Sequence, residues 1–279
     1  MTTARSAYRG ETIVFATMHH KEALATPAFA DRLGADVIAP DQLDTDQFGT
    51  FAGDIPRILS PLAAATVKAR LGMHVTGRSL GMASEGSFVP TLIGQRNTEI
   101  LLFIDELRGL RIIEQSSELS PLPSGRTVRN VGDAIHYAET IHFPEQGLTL
   151  QARSDDAVLT HKDITSPDRL ADLVAGGLRA GMRLTLMPDH RAHQSPARAR
   201  HIQALCDRMA DRLATTCPTC RTPGYGLVDT EAGLLCSLCE NPTAAIVADI
   251  LGCGACDHQH RLPRPEKHAN PATCDHCNP

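Results

Sequence analysis

Cys217-Pro-Thr-Cys220 begins a C-terminal segment that contains three further Cys-x-x-Cys pairs: Cys236-Ser-Leu-Cys239, Cys253-Gly-Ala-Cys256 and Cys274-Asp-His-Cys277. Two residues between thiolates let one tight turn present both sulfurs to the same ion, and zinc prefers four such ligands in a tetrahedron. The pattern therefore predicts two four-cysteine zinc sites in a small zinc-ribbon-like module at residues 215–279. Four thiolates fill the coordination sphere, so we expect both ions to be structural.

The spacing leaves open which pairs share an ion. Fifteen residues separate Cys220 from Cys236, and seventeen separate Cys256 from Cys274, within or near the span of a zinc ribbon. We favour the sequential arrangement, in which the first pair joins the second and the third joins the fourth. The interleaved arrangement is the alternative. A polar segment of this length has too little core to fold alone, so bound metal is expected to supply the folding energy.

Composition and charge restrict the function classes. The chain of 279 residues has a formal net charge of -5 and 21% charged residues, the profile of an ordinary globular protein. It has neither a secretory h-region near its N-terminus nor a stretch of about 18 apolar residues, so we expect a cytoplasmic protein with no membrane partner. From Cys217 onward the chain has seven Asp or Glu and four Lys or Arg, and this negative balance makes nucleic acid an unfavourable partner.

Residues 1–214 show the alternation of strand and helix patterns that is typical of an α/β domain with a mixed sheet. Ser60-Pro61 predicts a capped helix that ends at Gly72. Residues 99–105 and 111–117 predict an antiparallel hairpin. A further helix is expected from Ser195-Pro196, with Cys206 as a small buried residue on its apolar side.

Three polar motifs lie where α/β proteins place function, between strands and helices. The first is residues 17–21, Thr-Met-His-His-Lys, and the second is residues 83–88, Ala-Ser-Glu-Gly-Ser-Phe. We interpret residues 84–88 of the second motif as a turn after a strand. The third is residues 188–198, which carry His190, Arg191 and Arg198. Cations at helix starts bind phosphate, and a carboxylate can bind Mg²⁺. Taken singly, each charged residue has the simpler interpretation of a solvated surface group or a local ion pair.

The motifs ATMHHK, ASEGSF, DHRAHQSPAR and CDHCNP occur in an order that resembles an uncharacterised bacterial family, domain of unknown function 6671. The resemblance covers nearly the whole chain and implies no activity. The family pattern has Gly-Pro-His-Pro after the Phe of the second motif, whereas this chain has Val-Pro-Thr-Leu at residues 89–92. Ser195 and Ala197 stand where that pattern has Asn and Thr.

A fainter, fold-level likeness connects the chain with pyrophosphatases of non-standard purine nucleoside triphosphates. That likeness implies that Lys21 contacts phosphate, Glu85 contacts the metal, and His190 and Arg191 contact the base. The resulting hypothesis is an α/β domain that binds or hydrolyses a phosphorylated small molecule, with Mg²⁺ as a further cofactor. Glu85 and Lys21 would be catalytic, and Lys21, His190, Arg191 and Arg198 would bind the ligand. The alternative is a non-enzymatic scaffold whose zinc module contacts protein or nucleic acid.

Overall fold

The larger of two units in this computed structural model is Tyr8–Met209, and the smaller is Ala210–Pro279 with Ser6 and Ala7. The structure describes residues 6–41, 43–50, 55–92, 94–120 and 122–279. The domain boundary expected at 214/215 stays a prediction. No helix within these ranges has the length and apolar character needed to cross a bilayer.

Five strands of the larger unit form a mixed sheet: β1 (Thr12–Phe15), β2 (Asp36–Ile38), β3 (Leu80–Thr91), β4 (Gly94–Asp105) and β5 (Leu110–Ser120). Their order is β2-β1-β3-β4-β5. β1 runs parallel to β2 and β3, while β3, β4 and β5 form long antiparallel pairs. The mixed α/β class and the predicted hairpin, which is β4 with β5, are confirmed.

The described residues contain five α-helices: α1 (Glu22–Leu33), α2 (Pro61–Thr76), α3 (Val131–Thr140), α4 (Pro167–Arg179) and α5 (Pro196–Ala214). The side chain of Ser60 accepts a hydrogen bond from the backbone of Ala63 and caps α2, as predicted. The predicted stop at Gly72 is wrong, because α2 continues to Thr76 and ends at Gly77. Gly72 instead allows close packing on β1, where an added Cβ would lie 3.0 Å from the Cβ of Ala16.

The interpretation of residues 84–88 as a turn is also wrong. β3 continues without a break through this motif, and Glu85 pairs with Ile100 while Phe88 pairs with Asn97 on β4. The local pattern of small and polar residues is typical of a turn, but the ladder with β4 holds these residues extended. The strand thereby fixes the backbone of Glu85.

A second sheet contains β6 (Arg126–Val128), β7 (Leu148–Arg153), β8 (Val158–Ile164) and β9 (Arg183–Pro188). It is antiparallel throughout, in the order β6-β9-β7-β8. The strands of the larger unit are thus divided between two sheets, where the sequence pattern indicated one. The division follows the burial pattern, because side chains of this sheet and of α3 and α4 form a hydrophobic cluster that includes Leu148, Leu186, Tyr137 and Val174.

The smaller unit contains a three-stranded antiparallel sheet of β10 (Gly226–Ala232), β11 (Ile246–Gly252) and β12 (Gln259–Pro263). β11 lies in the middle and pairs with both neighbours. Each strand connects one Cys-x-x-Cys pair to the next along the chain. This sheet is short and most residues of its outer strands are exposed, as expected for a segment with little core of its own.

Candidate functional site

The eight predicted cysteine ligands form two clusters, and in each cluster the four sulfurs lie within 4.8 Å of one another. The first cluster is Cys217, Cys220, Cys253 and Cys256, and the second is Cys236, Cys239, Cys274 and Cys277. The Sγ–Sγ distance is 3.5 Å for Cys220–Cys253 and 3.8 Å for Cys236–Cys277. Four sulfurs placed tetrahedrally about 2.3 Å from one ion lie roughly 3.8 Å apart. Both clusters therefore fit a tetrahedral metal ion.

The preferred sequential pairing is wrong, and the interleaved arrangement is correct. The first Cys-x-x-Cys pair joins the third, and the second joins the fourth. β10, β11 and β12 lie side by side and alternate in direction, so each strand carries the chain from one cluster to the other. The spacing between pairs does not distinguish the two arrangements, since both need only a strand-length connection.

The local backbone helps to ionise the thiols. The amide N–H of Leu238 donates to Cys236 Sγ at 3.4 Å, and that of Ala255 donates to Cys253 Sγ at 3.3 Å. Backbone hydrogen bonds at the second cluster lower the pKa of Cys236 to about 7. The interaction with Cys239 and the other neighbouring thiols raises the pKa of Cys277 to about 12. The last thiols of a cluster are hard to deprotonate because negative charge accumulates on the neighbouring sulfurs, and a bound cation would neutralise that charge.

Four of the five residues predicted to form a site in the α/β domain line one pocket: Lys21, Glu85, Arg191 and Arg198. The fifth, His190, lines the adjacent cavity, and Arg57 and Arg191 line both spaces. The pocket is small, about 40 Å³, and the adjacent cavity is about 230 Å³. The structure therefore brings the three sequence motifs together in one cleft of the larger unit.

Lys21 lies at the start of α1 and is 8% exposed. Its Nζ donates to the carbonyl oxygen of Ser84 at 3.2 Å and to the hydroxyl of Ser84 at 2.9 Å. Burial, followed by the positive charge of Arg198, lowers the pKa of Lys21 to about 8. Because both hydrogen-bond acceptors are uncharged, this ammonium group is suited to an incoming anion.

Glu85 is held by two cations. Its Oε1 accepts a short hydrogen bond from Lys68 Nζ, and its Oε2 lies 3.3 Å from Arg57 Nη2. Burial raises the pKa of Glu85, but Lys68 and Lys21 outweigh that effect and the net pKa is lowered. Within the described residues, the groups of three or more His, Cys, Asp or Glu placed to share an ion are the two cysteine clusters alone. In this conformation the Glu85 carboxylate therefore holds Lys68 and Arg57 in place and is not part of a metal-ligand cluster.

Arg191 and Arg198 are held by carboxylates. Arg191 contacts both oxygens of the buried Asp189 and, through Nη2, the carboxylate of Asp163 at 2.7 Å. Arg198 donates to both oxygens of Glu99 and to the carbonyl oxygen of His190. These contacts fix the two guanidinium groups at the wall of the pocket and occupy most of their donors.

His190 stacks on Phe88, with ring centroids 3.9 Å apart and an interplanar angle of 25°. Burial and the charge of Arg198 lower the pKa of His190 to about 4, so the imidazole is neutral at pH 7. The cavity next to this pair carries polar groups from Gln95, Thr149 and Lys162. It combines an aromatic wall with hydrogen-bonding side chains.

The sequence motifs missed several residues of the cleft: Asp46, Arg57, Lys68, Glu99 and Lys162. Lys68 had a detectable signal, because it occupies the buried side of α2 with Ala64, Ala65 and Ala69. A lysine on an apolar helix face needs a partner, which predicts a buried carboxylate nearby. Asp46 had no such signal; it contacts His19 at 3.2 Å and Lys162 at 3.6 Å across long sequence separations.

Comparison with known proteins places most of the chain in a family. A family model described as a domain of unknown function, DUF6671, matches residues 68–279. A search of curated proteins finds no match. The range that the family model covers includes Glu85, His190, Arg191, Arg198 and all eight clustered cysteines, while Lys21 lies before it.

Proposed function

The chain belongs to the DUF6671 family, whose function is unknown, and we propose that its α/β cleft binds a phosphorylated small molecule of the nucleotide type. The observation that carries this proposal is the convergence of five cationic side chains on one pocket that, among the described residues, two carboxylates line: Lys21, Arg57, Lys68, Arg191 and Arg198 against Asp46 and Glu85. Asp189 and Glu99 pair with Arg191 and Arg198, and the remaining three cations still outnumber the two lining carboxylates. A small excess of positive charge in a cleft with low-dielectric walls attracts anions.

The phosphate end would enter the small pocket at Lys21. A space of about 40 Å³ suits one tetrahedral anion and excludes a whole nucleotide. Arg191 and Arg198 are already paired with Asp189 and Glu99, so Lys21, Lys68 and Arg57 supply the donors. A ligand phosphate would compete with Glu85 for Lys68 and Arg57. The Glu85 carboxylate therefore takes the place of the phosphate when no ligand is bound.

The planar end would enter the adjacent cavity of about 230 Å³ beside Phe88 and His190. A neutral imidazole stacked on a phenyl ring forms a flat apolar wall against which a heteroaromatic ring packs favourably. Gln95 and Thr149 add hydrogen-bonding groups for the ring edge. Arg57 and Arg191 lie at the border of both spaces, where a linking sugar would pass.

Calorimetric titration with nucleoside mono-, di- and triphosphates tests binding. Loss of one charge-assisted hydrogen bond costs about 1.5–3 kcal/mol, so Arg57→Ala should weaken affinity roughly 10- to 100-fold. Arg169→Ala, which removes an exposed arginine of α4, is the matched control and should leave affinity unchanged. Equal affinity of both variants, or no binding of any nucleotide, would overturn the proposal.

Hydrolysis is the second part of the proposal, with Mg²⁺ arriving on the ligand phosphates. Mg²⁺ is commonly held by substrate phosphates with one or two carboxylates, and in the described part of the chain Glu85 and Asp46 line the pocket. Release of phosphate or pyrophosphate, measured with and without Mg²⁺ in wild type and Glu85→Gln, tests this. Binding without turnover would indicate a ligand-binding protein and not an enzyme. The absence of both binding and turnover would favour the scaffold alternative.

We propose that each cysteine cluster holds zinc. Four thiolates in a tetrahedron favour Zn²⁺ over the oxygen-preferring cations and leave no position open for catalysis. Reduced thiols also fit a cytoplasmic protein. Elemental analysis of the purified chain should give two zinc ions per polypeptide, and a content near zero under reducing conditions would contradict the proposal.

A further inference from the structure

A serine, a histidine and a glutamate, residue types that are common in catalysis, lie together under α5. They are on the face of β4 and β5 opposite to the pocket-lining helix α2. Ser116 and Glu118 are two positions apart on β5, so their side chains share one face of the sheet. His201 of α5 lies over that face and is 7% exposed. Its Nε2 contacts Ser116 Oγ in a short hydrogen bond, and its Nδ1 lies 3.3 Å from Glu118 Oε1.

We infer that Ser116, His201 and Glu118 form a second, esterase-type site in which Ser116 is the nucleophile, His201 the general base and Glu118 the group that orients the imidazole. The serine contacts one ring nitrogen and the carboxylate contacts the other, which is the relationship that this mechanism requires. The inference does not depend on ligand binding in the cleft described above, because none of the three residues lines that cleft.

The tautomer of His201 follows from its neighbours. The Asn97 side-chain nitrogen lies 3.0 Å from Nδ1, while the buried Asn97 Oδ1 has no hydrogen-bond partner among the described residues. Rotating this amide by 180° places its oxygen at Nδ1, and amide oxygen and nitrogen are exchangeable in such an assignment. Nδ1–H then donates to both Asn97 Oδ1 and Glu118 Oε1. Nε2 is left with its lone pair toward the Ser116 hydroxyl, which is the form that accepts a proton.

A backbone donor for the reacting oxygen lies next to the serine. The backbone carbonyl oxygen of Gln115 accepts a hydrogen bond from Arg208 Nη2 at 2.7 Å, so the main-chain N–H and C=O of Gln115 point away from β4. Main-chain groups alternate in direction along a strand, so the N–H of Ser117 also faces away from β4. β5 is the edge strand of the described sheet. The residue after a nucleophilic serine commonly supplies such an oxyanion donor.

The substrate class follows from the adjoining groove. Its volume is about 290 Å³, and its lining combines Glu118 and His201 with Leu119, Ala197, Ala204 and the exposed Arg200. Three small or aliphatic side chains suit a short acyl chain, and Arg200 suits a carboxylate on the same molecule. A short-chain ester, with or without an acidic group, is therefore the expected substrate.

The reaction is an acyl transfer through Ser116. The Oγ–carbon bond forms as the Ser116 proton moves to His201 Nε2, and the ester carbon–oxygen bond then breaks as His201 returns the proton to the departing alkoxide. Water then attacks the acyl-serine and gives a proton to His201. His201 passes that proton to Ser116 Oγ as the bond between Oγ and the acyl carbon breaks, which releases the carboxylic acid and restores the serine hydroxyl. The only co-reactant is water.

Labelling with a fluorophosphonate probe and mass-spectrometric mapping test the inference on the full-length protein. The wild-type chain should be modified on Ser116, with loss of fluoride. Glu118→Gln should slow labelling and p-nitrophenyl butyrate hydrolysis at least about 10-fold, and His201→Gln about 100-fold or more. Thr98→Ala is the matched control, because Thr98 lies on β4 outside the proposed site and its hydroxyl bonds the Ser117 hydroxyl on the opposite face.

Three outcomes would overturn the inference: no modification of Ser116, equal modification of Ser116 and Ser117, or unchanged labelling in Glu118→Gln. His201 is buried and its replacement could prevent folding, so the Glu118 variant provides the independent measurement. The Glu118 side chain is 46% exposed, and this change preserves its shape. Circular dichroism of each variant should match the wild type.

Discussion

Glu99 and Arg198 form a buried two-point ion pair that joins β4 to α5. Arg198 Nε and Nη2 donate to the two carboxylate oxygens of Glu99 at 3.0 and 2.8 Å, and the two side chains are 0% and 4% exposed. Removing one partner of such a pair leaves a charge buried without compensation, at a cost of about 3–5 kcal/mol. The pair also fixes Arg198 at the wall of the cleft.

Gly86 is required beneath this ion pair. An added Cβ would overlap Glu99 Oε2 and lie 2.8 Å from Arg198 Nη2. Gly86→Ala should lower the free energy of unfolding by roughly 1–3 kcal/mol, because the pair must separate to admit the methyl group. Chemical denaturation monitored by circular dichroism measures the change.

Gly176→Ala provides the contrasting substitution. Gly176 lies inside α4, and among the described residues no neighbouring atom lies within 4 Å of the position that an added methyl group would take. Alanine should stabilise this helix by roughly 0.5–1 kcal/mol, because it lowers the backbone entropy of the unfolded chain. If both substitutions change stability in the same direction, the close approach at Gly86 does not control packing there.

The affinity for a phosphate ligand should depend on pH through Lys21. Its pKa is lowered to about 8, so the ammonium form is present below that pH and is lost above it. A nucleoside monophosphate is fully ionised above pH 7, so Lys21 dominates the change. Affinity should fall about tenfold per pH unit above pH 8, as measured by calorimetry between about pH 7 and 9.5.

Lys21→Arg is the control for that titration. A guanidinium group stays protonated throughout this range, so the variant should bind with little dependence on pH even where its geometry lowers the affinity. A wild-type affinity that is constant across the same pH range would show that the Lys21 ammonium does not contact the phosphate.

His190 should remain neutral at pH values where free imidazole is largely protonated. Burial and the positive charge of Arg198 lower its pKa to about 4. The ring resonances of His190 in a proton–carbon NMR spectrum should therefore shift only below about pH 5. Titration of His190 near the ordinary imidazole pKa of about 6.5 would mean that the ring is not enclosed against Phe88 and Arg198.

Metal loss at one cysteine cluster should destabilise the other. Because β10, β11 and β12 each connect the two clusters, disorder at the first cluster releases the strand ends that position the second. Cys220→Ser should reduce zinc content and make Cys253 and Cys256 the first thiols to react with N-ethylmaleimide, followed by the second cluster. Mass spectrometry after timed alkylation measures the order.

Cys206→Ala controls for the loss of a thiol. Cys206 is buried in α5 outside both clusters, and burial raises its pKa to about 12, which makes it unreactive. Zinc content should be unchanged in this variant. If Cys220→Ser instead exposes Cys236 and Cys239 before Cys253, the ions are shared sequentially and the interleaved arrangement is incorrect.

Local sequence patterns predicted the features that depend on near neighbours. Two residues between cysteines identified all eight clustered sulfurs, and Ser60-Pro61 identified the start of α2. The three polar motifs indicated Lys21, Glu85 and Arg191, although whether these side chains met could not be read from their order. The composition of residues 84–88 led to the wrong prediction of a turn, because pairing with β4 overrides the local preference for a turn.

The sequence by itself identified the eight cysteines of the two clusters and the residue types of the cleft, since both follow from short-range chemistry. Only the tertiary structure decided that the cysteine pairs interleave, that Lys68 and Arg57 hold Glu85, and that Ser116 meets His201. These contacts join residues from 17 to 85 positions apart along the chain. Such contacts depend on which strands pair and which helix covers them, and that choice is made by the burial energy of the whole unit.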